Sequence, residues 1–276
     1  MPRAAGNSTH YADEIWRPHY TGPQDERTAV VRALPSVTTI IKSTVANPVL
    51  VGWAYRTTRD TIAGLVSVLK HAGNQADEEN GMGLLDIFED ADVLEELLKE
   101  NKLTLTQITK MHADRGTAEH WHLEELTKVA ARDYDASLRL AERYTKAANG
   151  WRRGIGTWWI ANRPRVLASE RVLPNPNAGY CGSVDLIWET HDEALGVTDL
   201  KTRLDDREAY DSDEFQVDAY ADAWVANGGR EPDFRAVLVV REDGTVLDHR
   251  DFTIERGSFP KVLDLYNVRK GGEEDA

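Results

Sequence analysis

The sequence predicts an α/β protein: a core sheet flanked by helices, carrying an N-terminal helical region. Two observations lead there. Apolar residues recur at near-helical spacing as far as Arg163-Pro164, and beyond that point they gather in short runs rich in Val, Leu and Ile, separated by turn residues. The second half then reads as three strands, a helix, two strands and a helix, an order that suits helices packed on a sheet.

Taken in order, "LPSVTTIIKSTVANPVLVGWAYRTTRDTIAGLVSVLK" enters a helix at Pro35-Ser36 and keeps near-helical spacing to Leu69 with a break at Asn47-Pro48. Two helices are expected. "HAGNQADEENGMG" is a polar loop, and an acidic amphipathic helix should follow over about 86–100. A further helix runs from about Thr106 through "MHADRGTAEHWHLEELTKVAARD", with others near 135–149 and 151–162. "RVLASERVL", "YCGSVDLIWE" and "EALGVTDLKT" are the three strands. "SDEFQVDAYADAWVANGG" has helical spacing and a Gly-Gly stop, two strands flank Asp243-Gly244, and a last helix spans about 258–269. The expected division is a helical region over 1–105, a core over 106–270 and a disordered acidic tail over 271–276.

Composition narrows the function. With 41% hydrophobic and 29% charged residues the chain has globular usage, and no run approaches the roughly 18 apolar residues of a membrane span. The N-terminus lacks the apolar stretch of a signal peptide, so a cytoplasmic protein without a membrane partner is expected. Cys181 is the only cysteine, which excludes an intrachain disulfide and any multi-cysteine zinc or iron–sulfur site. Any metal must use oxygen or imidazole.

The net charge of −14 argues against a nucleic-acid partner, but its distribution softens that. Arg27 to Arg59 holds five basic residues and no acidic one; Arg143 to Arg171 holds seven basic residues and only Glu170, with Trp151, Trp158 and Trp159 interleaved. The basic segments read equally as solvated helix faces. The three Trp residues are either core or a stacking platform for unpaired bases.

The candidate chemistry lies in "GYCGSVDLIWETHDEALGVTDLKT". In a strand, Asp199 and Lys201 share one face while Leu200 turns into the core. If Asp185 approaches from the neighbouring strand, two carboxylates and the Leu200 backbone carbonyl form an oxygen-rich pocket suited to Mg²⁺ or Mn²⁺. Lys201 then has two roles open to it: to orient or deprotonate an attacking water, or to set positive charge against a phosphate as negative charge builds. By itself an Asp-x-Lys is more often a surface ion pair than a site. In "RGTAEHWHLEEL" the helical period puts Gly116, His120 and Glu124 on one face and turns His122 about 160° away, so the segment offers one ligand or one structural hydrogen-bond partner. Gln216 and Tyr220 share a face of the helix after the Asp-x-Lys strand, and Glu170 sits in the strand before Asp185 between Arg165 and Arg171.

As an ordered set, "GTAEH", the strand residue Glu170, "GSVD", "DLK" and "QVDAY" resemble the RecB-like exonuclease branch of the PD-(D/E)xK nuclease superfamily, which includes CRISPR-associated and phage-encoded exonucleases. The resemblance runs from about residue 34 to 255. It implies a restriction-endonuclease-like core with a central mixed sheet, and one or two Mg²⁺ or Mn²⁺ ions held by His120, Asp185, Asp199 and the Leu200 carbonyl. Lys201 would be catalytic and Glu170 a helper carboxylate. Gln216 and Tyr220 would support the site or contact the strand, and Arg115 with Thr117 would bind phosphate.

The function implied is a metal-dependent deoxyribonuclease, by preference an exonuclease at single- or double-stranded DNA ends in phage or mobile-element recombination or replication. It would work in the cytoplasm, the host's if phage-encoded, as a homo-oligomer or with a recombination partner protein. The alternatives are a non-cleaving nucleic-acid-binding or assembly protein on the same fold, and a flap or junction endonuclease. Two features depart from many relatives. The four cysteines of an iron–sulfur cluster are missing, so no cluster is expected, and Gly-Ser-Val-Asp stands where Pro-Asp is often found.

Overall fold

A computed structural model describes residues 10–11, 34–45, 91–100, 104–203 and 208–274. The chain forms two compact units, Met1–Ala46 with Ala118–Ala276, and Asn47–Thr117. In the first, His10–Tyr11 (β1) pairs antiparallel with Leu34–Pro35 (β2), so the N-terminal region contributes strand as well as helix. Ser36 opens the helix Val37–Thr44 (α1) by accepting from the Thr39 amide at 3.1 Å, the cap that the Pro-Ser entry predicts. The expected helix to Leu69 and the loop after it lie outside the described residues.

In the second unit, Ala91–Glu100 (α2) is followed by Leu105–Ala130 (α3), which continues into the first unit. Thr104 caps α3, with reciprocal bonds between its hydroxyl and backbone and Gln107. In the first unit Tyr134–Tyr144 (α4) and Gly150–Asn162 (α5) start at side-chain caps, Asp133 and Asn149. Arg163, left-handed at φ 45°, ends α5 before Pro164.

The sheet comprises Arg165–Asn175 (β3), Tyr180–Glu189 (β4), Leu195–Arg203 (β5), Phe234–Arg241 (β6) and Val246–His249 (β7), ordered β3-β4-β5-β6-β7. Neighbours run antiparallel except β5 and β6. That pair is parallel because the helix Asp211–Ala226 (α6) carries the chain across the sheet between them. Phe259–Glu274 (α7), the last described element, is longer than the expected 258–269, so residues 271–274 of the segment expected to be a disordered tail are helical.

Helices cover both faces, which is why the strands are apolar in long stretches rather than strictly alternating. One face packs Val37 and Ile40 of α1, Val217 and Tyr220 of α6, and Phe259 and Leu263 of α7 against Val184, Val197 and Val239. The other packs Leu123 and Leu126 of α3, Tyr144 of α4 and Ile155 of α5 against Leu186, Leu200 and Leu238. Trp151, Trp158 and Trp159 are buried in this second core, with Trp158 edge-on to Trp188 at 5.3 Å, so the tryptophan group is core and has no open face for stacking bases. The acids of α6 are not simply a solvated face, since Asp213, Glu214 and Asp218 are all buried. No helix among the described residues is long and apolar enough to cross a membrane.

Candidate functional site

The site arises from a fork in the sheet. Pairing between β4 and β5 runs from Glu189↔Leu195 to Leu186↔Thr198 and goes no further. On either side the ladders continue, β3–β4 to Asn175↔Tyr180 and β5–β6 to Arg203↔Arg241. Asp185 stands at the first position past the split. Its Oδ2 accepts the Leu200 amide at 2.7 Å, replacing the carbonyl that a continued ladder would have supplied. The expectation that Asp185 approaches the Asp199–Lys201 strand is met, through its side chain rather than by strand pairing.

Glu170 shows a second irregularity. The β3–β4 ladder passes from Ser169↔Leu186 to Arg171↔Val184 and skips Glu170 opposite Asp185. Glu170 itself has φ 48°, a left-handed conformation that costs a non-glycine residue about 1–2 kcal/mol. Strain of this kind concentrates at functional positions. From it Glu170 places Oε1 3.6 Å from His120 Nδ1, while Asp185 Oδ1 lies 3.2 Å from the same nitrogen.

Asp199 and Lys201 share a face of β5 and Leu200 is fully buried on the other, as strand alternation predicts. Lys201 Nζ lies 2.6 Å from Asp199 Oδ2, an ion pair without hydrogen-bond directionality. Gln216 bridges the two, accepting from Lys201 at 3.1 Å and donating to Asp199 Oδ1 at 3.2 Å; its amide nitrogen is also 2.7 Å from the Tyr220 hydroxyl. The i, i+4 pair on α6 is thus the outer support of the Asp-x-Lys strand.

Gly182, the glycine of "GSVD", is needed for that support. A Cβ there would stand 2.5 Å from Tyr220 Cε1 and 3.0 Å from Val37 Cγ2. Gly182→Ala is therefore expected to displace the Tyr220 ring and with it Gln216, destabilising the fold by about 1–3 kcal/mol. Denaturant unfolding of the two proteins reads the loss directly.

The electrostatics separate the two aspartates. Burial pushes Asp199 up, Asp185 adds to the rise and Lys201 opposes it, leaving the carboxyl at about 7. Burial acts on Asp185 in the same sense, but His120, Lys201 and the Leu200 amide outweigh it and hold this carboxyl below its ordinary value. Burial alone would lower His120; Asp185 and Glu170 override it and lift the imidazole to about 10. Lys201 is likewise held above the ordinary lysine value by Asp199, Asp213 and Asp185 against its burial.

One ligand atom each from His120, Glu170 and Asp185 lie within 4.8 Å of one another, the one such His, Cys, Asp or Glu group among the described residues. Adjacent ligands of a six-coordinate ion with bonds of about 2.1 Å stand about 3 Å apart, so the 3.2 Å and 3.6 Å separations fit two neighbouring corners. One imidazole and two carboxylates could hold a divalent metal ion. In this arrangement Glu170 joins the ligand group, whereas Asp199, expected as a ligand, gives its carboxylate to Lys201 and Gln216. His122 is outside the cluster, edge-on to Tyr144 at 5.3 Å, as the helical period predicts.

Thr117, expected to bind phosphate, donates to the Ala113 carbonyl at 3.0 Å on its own helix; Arg115 is partly exposed. Both lie in the unit Asn47–Thr117. Asp213 is the residue that sequence reasoning passed over. It accepts from Arg203 and from the Tyr210 amide at 3.0 Å and is one of the carboxylates that hold Lys201 charged. Its position three residues before Gln216, on the same helical face, was the available signal.

These features define an α/β protein with a five-stranded mixed sheet flanked by helices and a His–carboxylate cluster beside a buried Asp–Lys pair. No protein-family model matches the chain, and a search of curated proteins finds no match.

Proposed function

We propose that this chain is a divalent-metal-dependent deoxyribonuclease with a restriction-endonuclease-like core, of the RecB-like branch of the PD-(D/E)xK superfamily, acting as an exonuclease at DNA ends. The observation that carries this reading is the fork between β4 and β5. It brings Asp185 from one strand against the backbone of the Asp199–Lys201 strand, with His120 and Glu170 on Asp185 and Gln216 on the Asp–Lys pair.

His120, Glu170 and Asp185 would hold the ion, with Asp199 and the Leu200 carbonyl as the further ligands the resemblance implies. A bound Mg²⁺ or Mn²⁺ supplies polarisation of a phosphoryl oxygen and a lowered pKa for a coordinated water. In the reaction the water oxygen bonds to phosphorus, the P–O bond to the departing strand breaks, and a proton passes to that leaving oxygen. Lys201 sets its ammonium toward the charge that builds on the phosphate. Asp199 and Gln216 fix the long lysine side chain, so it needs no reordering during the reaction.

End-labelled linear DNA and closed circular DNA, single- and double-stranded, incubated with Mn²⁺, Mg²⁺ or EDTA, test this. Linear DNA is expected to shorten in either metal, circles to survive, and EDTA to stop the reaction. Cut circles would replace the exonuclease with an endonuclease. The net charge of −14 favours a second reading, a nucleic-acid-binding or assembly protein that does not cut. Binding that persists in EDTA without product in any metal would establish it.

A further inference from the structure

A groove of about 850 Å³ lies between the C-terminal part of α3, the start of α4 and strand β3. It begins where the cluster ends, because Ser169 on its wall precedes Glu170 and Glu124 is one helical turn beyond His120. Its volume is in the range of small-ligand sites. Two of its polar groups have no use in the free protein. The Tyr134 hydroxyl and the Ser169 hydroxyl are both buried with no hydrogen-bond partner. Buried hydroxyls are normally satisfied, so two orphans among the residues lining one groove need an explanation.

The charges around them point to an anion. Arg163 lines the groove with no carboxylate partner among the described residues, and it is the cation nearest in effect to the Tyr134 hydroxyl. Arg163 is projected here by the left-handed turn that ends α5. Lys128 and Arg165 also line the groove, paired with Glu124 and Glu189 respectively, and Glu193 is its other acidic residue. The apolar part comes from Leu167, left 41% exposed at the register shift between Val166 and Ala168. A cation, two hydroxyl groups and an apolar surface are what a nucleotide's phosphate, sugar and base require.

We propose that this groove is the subsite for the nucleotide of a DNA strand next to the bond that would be cut. The choice of a DNA strand as ligand rests on the nuclease reading; the existence of a nucleotide site does not.

The test is the anisotropy of a short fluorescein-labelled single-stranded oligodeoxynucleotide with the full chain in EDTA, competed with a free deoxynucleoside monophosphate. Arg163→Glu is expected to raise the oligonucleotide Kd roughly tenfold or more, and Tyr134→Phe and Ser169→Ala severalfold. Thermal unfolding supplies the readout that a structural role would move the other way. Because neither hydroxyl makes a bond in the free protein, both variants should be at least as stable as wild type while binding more weakly.

Unchanged affinity in all three variants, or no binding by wild type, overturns the subsite. Groove-dependent binding without cleavage leaves the subsite standing and removes the nuclease. Metal-dependent cleavage with unaltered groove-variant affinity does the reverse. Displacement of the oligonucleotide by the monophosphate places the recognition in a single nucleotide.

Discussion

On the proposed nuclease reading, Asp185→Asn is expected to give a folded protein that has lost phosphodiester hydrolysis by at least about 10³-fold. The two oxygens of Asp185 have different duties. Oδ2 accepts the Leu200 amide where the β4–β5 ladder has ended, and Oδ1 faces His120. An asparagine can keep the first bond through its carbonyl and turn its NH₂ to a neutral His120 nitrogen, so both backbone and imidazole stay satisfied. What disappears is the negative charge, and with it one of the two carboxylates of the His120–Glu170–Asp185 cluster.

Asp185→Ala is the contrasting variant. It leaves the buried Leu200 amide with no acceptor, a loss of about 1–3 kcal/mol. Thermal melts should therefore place Asn near wild type and Ala clearly below it, while both fail in the cleavage assay. Mn²⁺ titration followed by calorimetry should show affinity lower by at least about 100-fold in Asp185→Asn. Wild-type cleavage by Asp185→Asn would remove the fork as the reactive centre.

Strand and helix placement could be read from period because both faces of the sheet are covered and each helix carries an apolar stripe. "YCGSVDLIWE" is β4 residue for residue, and the face shared by Asp199 and Lys201 follows from alternation alone. Ser36 as a cap, the stop at Arg163-Pro164 and the turn at Asp243-Gly244 are local chemistry and are also legible.

The site was legible as a set of residues but not as a geometry. Nothing in "ASERV" signals that Glu170 turns left-handed at the position the β3–β4 ladder skips, where its side chain meets His120 from α3. The division of roles between Glu170, which joins His120 and Asp185, and Asp199, which goes to Lys201, depends on where two strands part company. That is a tertiary fact. The burial of the α6 acids is hidden in the sequence for a related reason. Charge runs are usually solvated, and only the three-dimensional path of residues 253–259 shows what Glu214 and Asp218 bind.

Asp218→Ala is the substitution expected to cost the fold most. Asp218 is 2% exposed, and its two oxygens serve three donors: the Arg235 guanidinium, the Gly257 amide at 3.1 Å and the Phe259 amide at 2.9 Å. Those bonds tie α6 to β6 and to the start of α7, which packs with α1 and α6 on one face of the sheet. Arg235 is itself 9% exposed, with Phe252 stacked 4.8 Å from its guanidinium and the Ile254 carbonyl at 3.3 Å. Removing the carboxylate leaves this cation buried without its counter-charge, a loss of about 3–5 kcal/mol. In a chain of this size that lowers Tm by roughly 10 °C.

The pair should be strongly coupled. Arg235→Met alone leaves Asp218 with two amides and should cost less, whereas adding it to Asp218→Ala removes the stranded charge and should restore part of the lost stability. A double-mutant cycle by denaturant unfolding measures this. Additive losses would mean that Asp218 acts through the Gly257 and Phe259 amides alone, as a cap on α7. A non-additive cycle would mean that α6 is held to β6 by a buried ion pair, whose two charges cancel and leave the net charge of the surface unchanged.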